Sequence, residues 1–111
     1  MNFVTNVSVL NSNIVGSSSI AKLLNAAQID GMTVGITELA PGDELPWSIH
    51  GCVEIFYVLS GLAEVFISNQ QYPISSGDFV VIPTGHRHMV KNVELETLKM
   101  LFIKPPEEQN N

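Results

Sequence analysis

From Gly31 onward the chain is a series of short, apolar, β-prone runs cut by turn residues. Met32–Leu39 stops at Pro41-Gly42-Asp43, and Trp47–Leu59 stops at Ser60-Gly61. Leu62–Ser68 gives way to a polar turn at Asn69-Gln70-Gln71, and Tyr72–Ile74 ends at Ser75-Ser76-Gly77-Asp78. Phe79–Ile82 runs into Pro83-Thr84-Gly85, His86–Val93 follows, and Thr97–Ile103 closes before Pro105-Pro106. Many short strands with regular Gly/Pro punctuation predict an all-β sandwich or barrel. Gly42, Gly61, Gly77 and Gly85 read as turn positions that need backbone angles other residues avoid.

Before Gly31 the pattern weakens. Residues 1–19 are rich in Asn, Ser and Thr, with Val7, Val9, Ile14 and Val15 able to form short edge strands. Ile20–Gln28 has a short helical pattern through Ala21, Leu23, Leu24, Ala26 and Ala27. Residues 1–30 therefore read as a strand-and-helix extension of a single domain covering 1–111.

Alternation along each strand predicts its faces. In Leu62–Ser68, Glu64 turns to water and sends Ala63, Val65 and Ile67 inward, yet the outer face still carries Leu62 and Phe66. Thr97–Ile103 is apolar on both faces apart from Lys99. Strands apolar on both sides need two covers, and a second subunit is the natural one, so a homodimer is expected.

Composition agrees with a packed domain: 45% of the residues are hydrophobic and only 14% charged. Five Lys and Arg against eleven Asp and Glu give a formal net charge of −6. An acidic chain with no basic stripe repels phosphate backbones, so neither nucleic acid nor a membrane is an expected partner. No run is long enough to span a bilayer, and the first residues lack the positive region of a secretory signal. The single cysteine, Cys52, excludes an internal disulfide and fits a reducing compartment, so a cytoplasmic protein is expected.

The candidate chemistry centres on residues 47–54, WSIHGCVE. Read as a strand, this stretch puts Ser48, His50, Cys52 and Glu54 on one face. Beyond it, Gly42 is followed at fixed spacings by Ser48, His50, Glu54 and Gly61. Gly77 is followed by Pro83, Gly85, His88 and Asn92. The two stretches, 42–61 and 77–92, resemble the paired motifs of the cupin superfamily, G-x5-H-x-H-x3,4-E-x6-G and G-x5-P-x-G-x2-H-x3-N. The second fits at every fixed position. In the first, Ser48 stands where the family has a histidine.

The resemblance implies a cupin double-stranded β-helix, or jelly-roll β-barrel, often dimeric, with a metal held inside. Carried over residue by residue, His50, Glu54 and His88 fall on metal-ligand positions, and Ser48 does not. Two histidines and a carboxylate suit Fe, Mn, Zn or Ni as the divalent metal, and three ligands leave positions open to water or substrate. A hydroxyl is a poor ligand, so Ser48 reads as a pocket-enlarging or water-holding change. Cys52 is read either as a small buried hydrophobe or as a thiolate replacing the missing ligand. His86, two residues before His88, is a candidate general base or a rim residue. Arg87, Lys91 and Lys99 are cations able to hold a carboxylate substrate if one of them points inward.

Cupins span dioxygenases, isomerases, epimerases, lyases, decarboxylases, storage proteins and sensors, so the fold does not fix the function. Two functions are carried forward. One is a metal-dependent oxidoreductase, isomerase or lyase acting on a small polar substrate such as an organic acid or sugar derivative. The other is a non-catalytic barrel that binds or senses a small molecule, with the metal structural or absent.

Overall fold

The computed structural model describes residues 4, 6, 8, 10–15, 18–24 and 31–106. Among these residues ten strands follow one another: β1 (Asn13–Val15), β2 (Ser18–Leu24), β3 (Thr33–Leu39), β4 (Glu44–Ser48), β5 (Glu54–Ser60), β6 (Leu62–Ile67), β7 (Gln70–Ser75), β8 (Phe79–Ile82), β9 (His88–Lys91) and β10 (Leu98–Lys104). They form a six-stranded sheet, β1-β2-β3-β10-β5-β8, and a four-stranded sheet, β4-β9-β6-β7. Every pairing is antiparallel. No helix among the described residues is long and apolar enough to cross a membrane.

The alternating patterns decide which faces meet. On β10 the residues Leu98, Met100 and Phe102 are buried, and on β5 Phe56 and Val58 are buried. From the facing sheet come Ala63, Val65 and Val90, closing one hydrophobic core. Pro46 and Pro73, which cannot donate to a ladder, both lie on strands at the edges of the four-stranded sheet. Beside Pro46 the β4–β9 register shifts between Leu45 and Ser48, and the shift brings Ser48 opposite His88.

The four turn glycines have φ of +84° (Gly42), +95° (Gly61), +90° (Gly77) and +80° (Gly85). Gly61 is doubly constrained, because a Cβ there would lie 2.7 Å from the Thr97 carbonyl oxygen. Asn92, the last fixed position of the second motif, is fully buried and clamps the loops around it. Its Nδ2 donates to the carbonyls of Leu39 (2.9 Å) and Glu96 (2.7 Å), and its Oδ1 accepts from the Glu94 amide (3.0 Å).

Two expectations need correction. Residues 20–24 are not helical: they belong to β2, which pairs with β3 from Ser19↔Glu38 to Leu24↔Val34. A helical pattern this short has little intrinsic stability, whereas pairing satisfies the backbone groups along β3. The rest of that stretch, 25–28, lies outside the described residues, as do Val7 and Val9; Ile14 and Val15 lie in edge strand β1. The run Trp47–Leu59 is also not one strand. The chain leaves the four-stranded sheet after Ser48 and enters the other at Glu54, with 49–53 as the crossing.

Candidate metal centre

Three elements converge on one point. Glu54 opens β5 and, with Phe56 and Val58, faces the interior. His88 opens β9, paired across the ladders with Ser48 on β4 and Ile67 on β6. His50 lies in the crossing loop, and its backbone carbonyl accepts a hydrogen bond from the Gly85 amide at 3.0 Å. The turn of the second motif thus holds the loop of the first in place.

The ligand atoms of His50, Glu54 and His88 all lie within 4.8 Å of one another, the one such group of three or more among the described residues. His88 Nε2 is 2.9 Å from Glu54 Oε1, and His50 Nε2 is 3.5 Å from the same oxygen. Two ligands each about 2.1 Å from one ion are roughly 3.0–3.4 Å apart for octahedral to tetrahedral angles. The donor set and its spacing therefore fit a divalent ion. Glu54 and His88 are buried, while His50 is partly exposed. Ser48 Oγ lies 3.2 Å from His88 Nε2 and 3.5 Å from His50 Nε2, beside the gap between the two rings.

The hydrogen bonds fix how His88 presents itself. Its Nδ1 donates to the His86 carbonyl at 3.0 Å, which turns Nε2 toward Glu54. Burial pulls the His88 pKa down, but the Glu54 hydrogen bond, the His86 carbonyl and the Glu54 charge together outweigh it. The net effect is a pKa above the ordinary 6.5, against a small opposing push from Lys104. Without a metal, an imidazolium satisfies both neighbours at once. With one, the Nε2 proton must leave while the Nδ1 bond keeps the ring aimed.

The other candidates are placed differently. Cys52 is buried but belongs neither to the ligand cluster nor to the cavity wall, because the same-face rule applies only within a strand and 49–53 is not one. The His86 ring is exposed, its Nδ1 3.3 Å from the Thr84 carbonyl, and it does not line the cavity; what His86 brings to the site is its carbonyl. Arg87 stacks over the Trp47 ring at 4.5 Å, and Trp47 in turn packs on Phe66. Lys99 pairs with Glu38 at 3.8 Å, and Lys91 is exposed.

His50 and Glu54 open onto a cavity of about 500 Å³ between the sheets. Its wall combines aromatic and aliphatic side chains, among them Phe56, Phe102, Trp47 and Leu45, with the hydroxyls of Ser48, Thr33 and Thr37. It also includes Lys104, a cation absent from the candidates named from sequence.

Residues 35–104 match the family model described as cupin domain. The chain belongs to the cupin family. Among curated relatives, this cupin is 31% identical over 84 residues to Auxin-binding protein 1 of Arabidopsis thaliana, covering 66% of this chain and 42% of that protein. It is 30% identical over 74 residues to Polyketide synthase CurC of Streptomyces cyaneus, covering 66% and 48%. The cupin thus spans about half the length of these two relatives. Among solved structures, a predicted oxalate decarboxylase from Thermotoga maritima superimposes with a TM-score of 0.87 at 23% identity, covering 94% of this chain and 99% of that one. The polyketide cyclase RemF from Streptomyces resistomycificus does so at 0.85 and 19%, covering 99% and 83%. At these identities the superpositions establish the barrel alone.

Proposed function

We propose that this cupin is a divalent-metal-dependent enzyme acting on a small organic molecule, an organic acid or sugar derivative, by dioxygenase, isomerase or lyase chemistry. The observation that carries the reading is the convergence of His50, Glu54 and His88 beside a cavity large enough for a small ligand. A bound divalent ion would supply Lewis-acid polarisation or redox chemistry at that wall. The chain's own residues do the rest. Glu54 balances the ion's charge from a buried position, and the His86 carbonyl keeps His88 Nε2 facing inward. Ser48 offers a hydroxyl that can hold water or a substrate oxygen beside the two rings. Phe56 and Phe102 give the reacting group an apolar wall on one side.

A second reading, a barrel that binds a small molecule without turnover, draws support from two observations. Ser48 replaces one ligand of the family pattern, and the relative from Arabidopsis is named for binding. Metal analysis of protein purified without chelators, followed by turnover screens of metal-loaded protein, separates the two. Metal uptake with turnover supports an enzyme. A protein that refuses Mn, Fe, Ni and Zn overturns it.

The same reading includes a homodimer. The outward side of β5 and β8 exposes Tyr57, Leu59, Phe79 and Val81, an apolar face suited to a second copy. Light scattering of wild type and Phe79→Glu tests this, with a dimer expected for the first and a monomer for the second. A monomeric wild type at micromolar concentration would remove the dimer from the account.

A further inference from the structure

Strand β10 extends two residues past Phe102, its last buried core position. Leu98, Met100 and Phe102 face the interior, and alternation carries Lys104 to the same side. Across the ladder Lys104 pairs with Thr33 and Phe102 with Gly35. Lys104 and Thr33 both line the cavity that holds His50 and Glu54. Among the described residues Lys104 is the one Lys or Arg in that wall, and no ion pair ties it to a carboxylate of those residues.

The ammonium of a half-buried lysine that makes no ion pair among the described residues, in a cavity walled largely by apolar side chains, is best satisfied by an anion brought by the ligand. A carboxylate matches it as a point charge and accepts its hydrogen bonds. The neighbouring Phe102, Leu45, Trp47 and Phe56 offer hydrophobic surface and no further cation. A volume of about 500 Å³ also exceeds what a one- or two-carbon acid fills. We propose that Lys104 binds the carboxylate of the cavity's ligand, and that this ligand is a predominantly apolar monocarboxylic acid whose body rests on Phe102, Trp47 and Leu45. The proposal deepens the preceding reading, since it takes the same cavity as the substrate site.

The test is isothermal titration calorimetry with 3-phenylpropionate, its neutral amide 3-phenylpropionamide, and acetate. Wild type, Lys104→Met and Lys104→Arg are compared, each metal-free and after zinc loading. Metal-free wild type should bind the acid roughly ten- to hundred-fold tighter than the amide, the scale of a hydrogen-bonded charge pair. Acetate, lacking the apolar body, should bind far more weakly than 3-phenylpropionate. Lys104→Met should lose the preference for acid over amide, and Lys104→Arg should keep most of it.

Equal affinity for acid and amide overturns the proposal, as does an acid preference that survives in Lys104→Met. Absence of acid binding at millimolar concentration in both metal-free and loaded protein overturns it too, and acetate binding as tightly as 3-phenylpropionate overturns the apolar class. Zinc uptake in the same samples separates the two readings. A protein that takes zinc but shows no Lys104-dependent preference loses only this inference. One that refuses zinc yet keeps the preference loses only the metal-dependent function.

Discussion

Gly35→Ala should destabilise the barrel and narrow its cavity, and the geometry fixes the size of both effects. Gly35 lies on the inward face of β3, directly across the ladder from Phe102. A Cβ there would come within 2.5 Å of Phe102 Cε1, 2.6 Å of Cζ and 2.9 Å of the Ala21 carbonyl oxygen. The ring lines the cavity and can turn into it, while the Ala21 oxygen is backbone of the paired strand β2 and cannot yield without moving that ladder. Replacing Gly by Ala in a strand relieves about 0.5–1 kcal/mol of chain entropy. Overpacking a well-filled core costs about 1–3 kcal/mol, so a net loss of about 1–2 kcal/mol is expected. For a domain of this size that is a fall in Tm of about 4–8 °C, measured at fixed protein concentration. The displaced ring should also weaken binding of 3-phenylpropionate. In a double-mutant cycle with Phe102→Leu, which removes the ring edge, the two changes should couple favourably by about 1 kcal/mol. A neutral or stabilising Gly35→Ala, or strict additivity with Phe102→Leu, would refute this account of why the position is glycine.

Three other outcomes follow from the site and its supports. A histidine whose folded pKa is raised stabilises the fold fully below its unfolded value and loses that contribution as pH climbs through the folded value. Metal-free protein should accordingly lose Tm as pH rises above about 6.5, and Glu54→Gln should remove that slope, because burial, joined by the Lys104 charge, then outweighs the His86 carbonyl and pulls His88 down. Asn92→Ala should cost about 2–4 kcal/mol in urea denaturation, since it removes a buried hydrogen bond to the Leu39 carbonyl and frees two loop contacts. Ser48→His should tighten divalent metal binding in competition titrations by roughly 10- to 100-fold or more, the scale on which partners of a metal site act; unchanged affinity would mean that position 48 does not face the ion.

Much of the barrel was legible because period-two alternation and turn glycines are local signals. Ala63 and Val65 turn inward as expected, and the four turn glycines all adopt positive φ. What escaped was information held between segments. Ile20–Leu24 reads as helix in isolation and becomes strand because β3 supplies its partner. The row from Ser48 to Glu54 reads as one strand face, yet the chain changes sheets within it, so Cys52 parts company with its neighbours while Ser48 still meets His88 across a ladder. Lys104 escaped for a simpler reason. Reading the last strand as ending at Ile103 stops one residue short of the position that alternation turns into the cavity. The role of the His86 backbone has no sequence signature, because any residue supplies a carbonyl.

We propose that His50, Glu54 and His88 together bind one divalent ion. The most direct test is metal stoichiometry by elemental analysis, with zinc and manganese offered to wild type and to His88→Ala at matched folding by circular dichroism. About one tightly held ion per chain is expected in the wild type, with proton release on binding, and near-complete loss in the variant. Wild-type protein that stays metal-free, or a His88→Ala variant that keeps its ion, would contradict it.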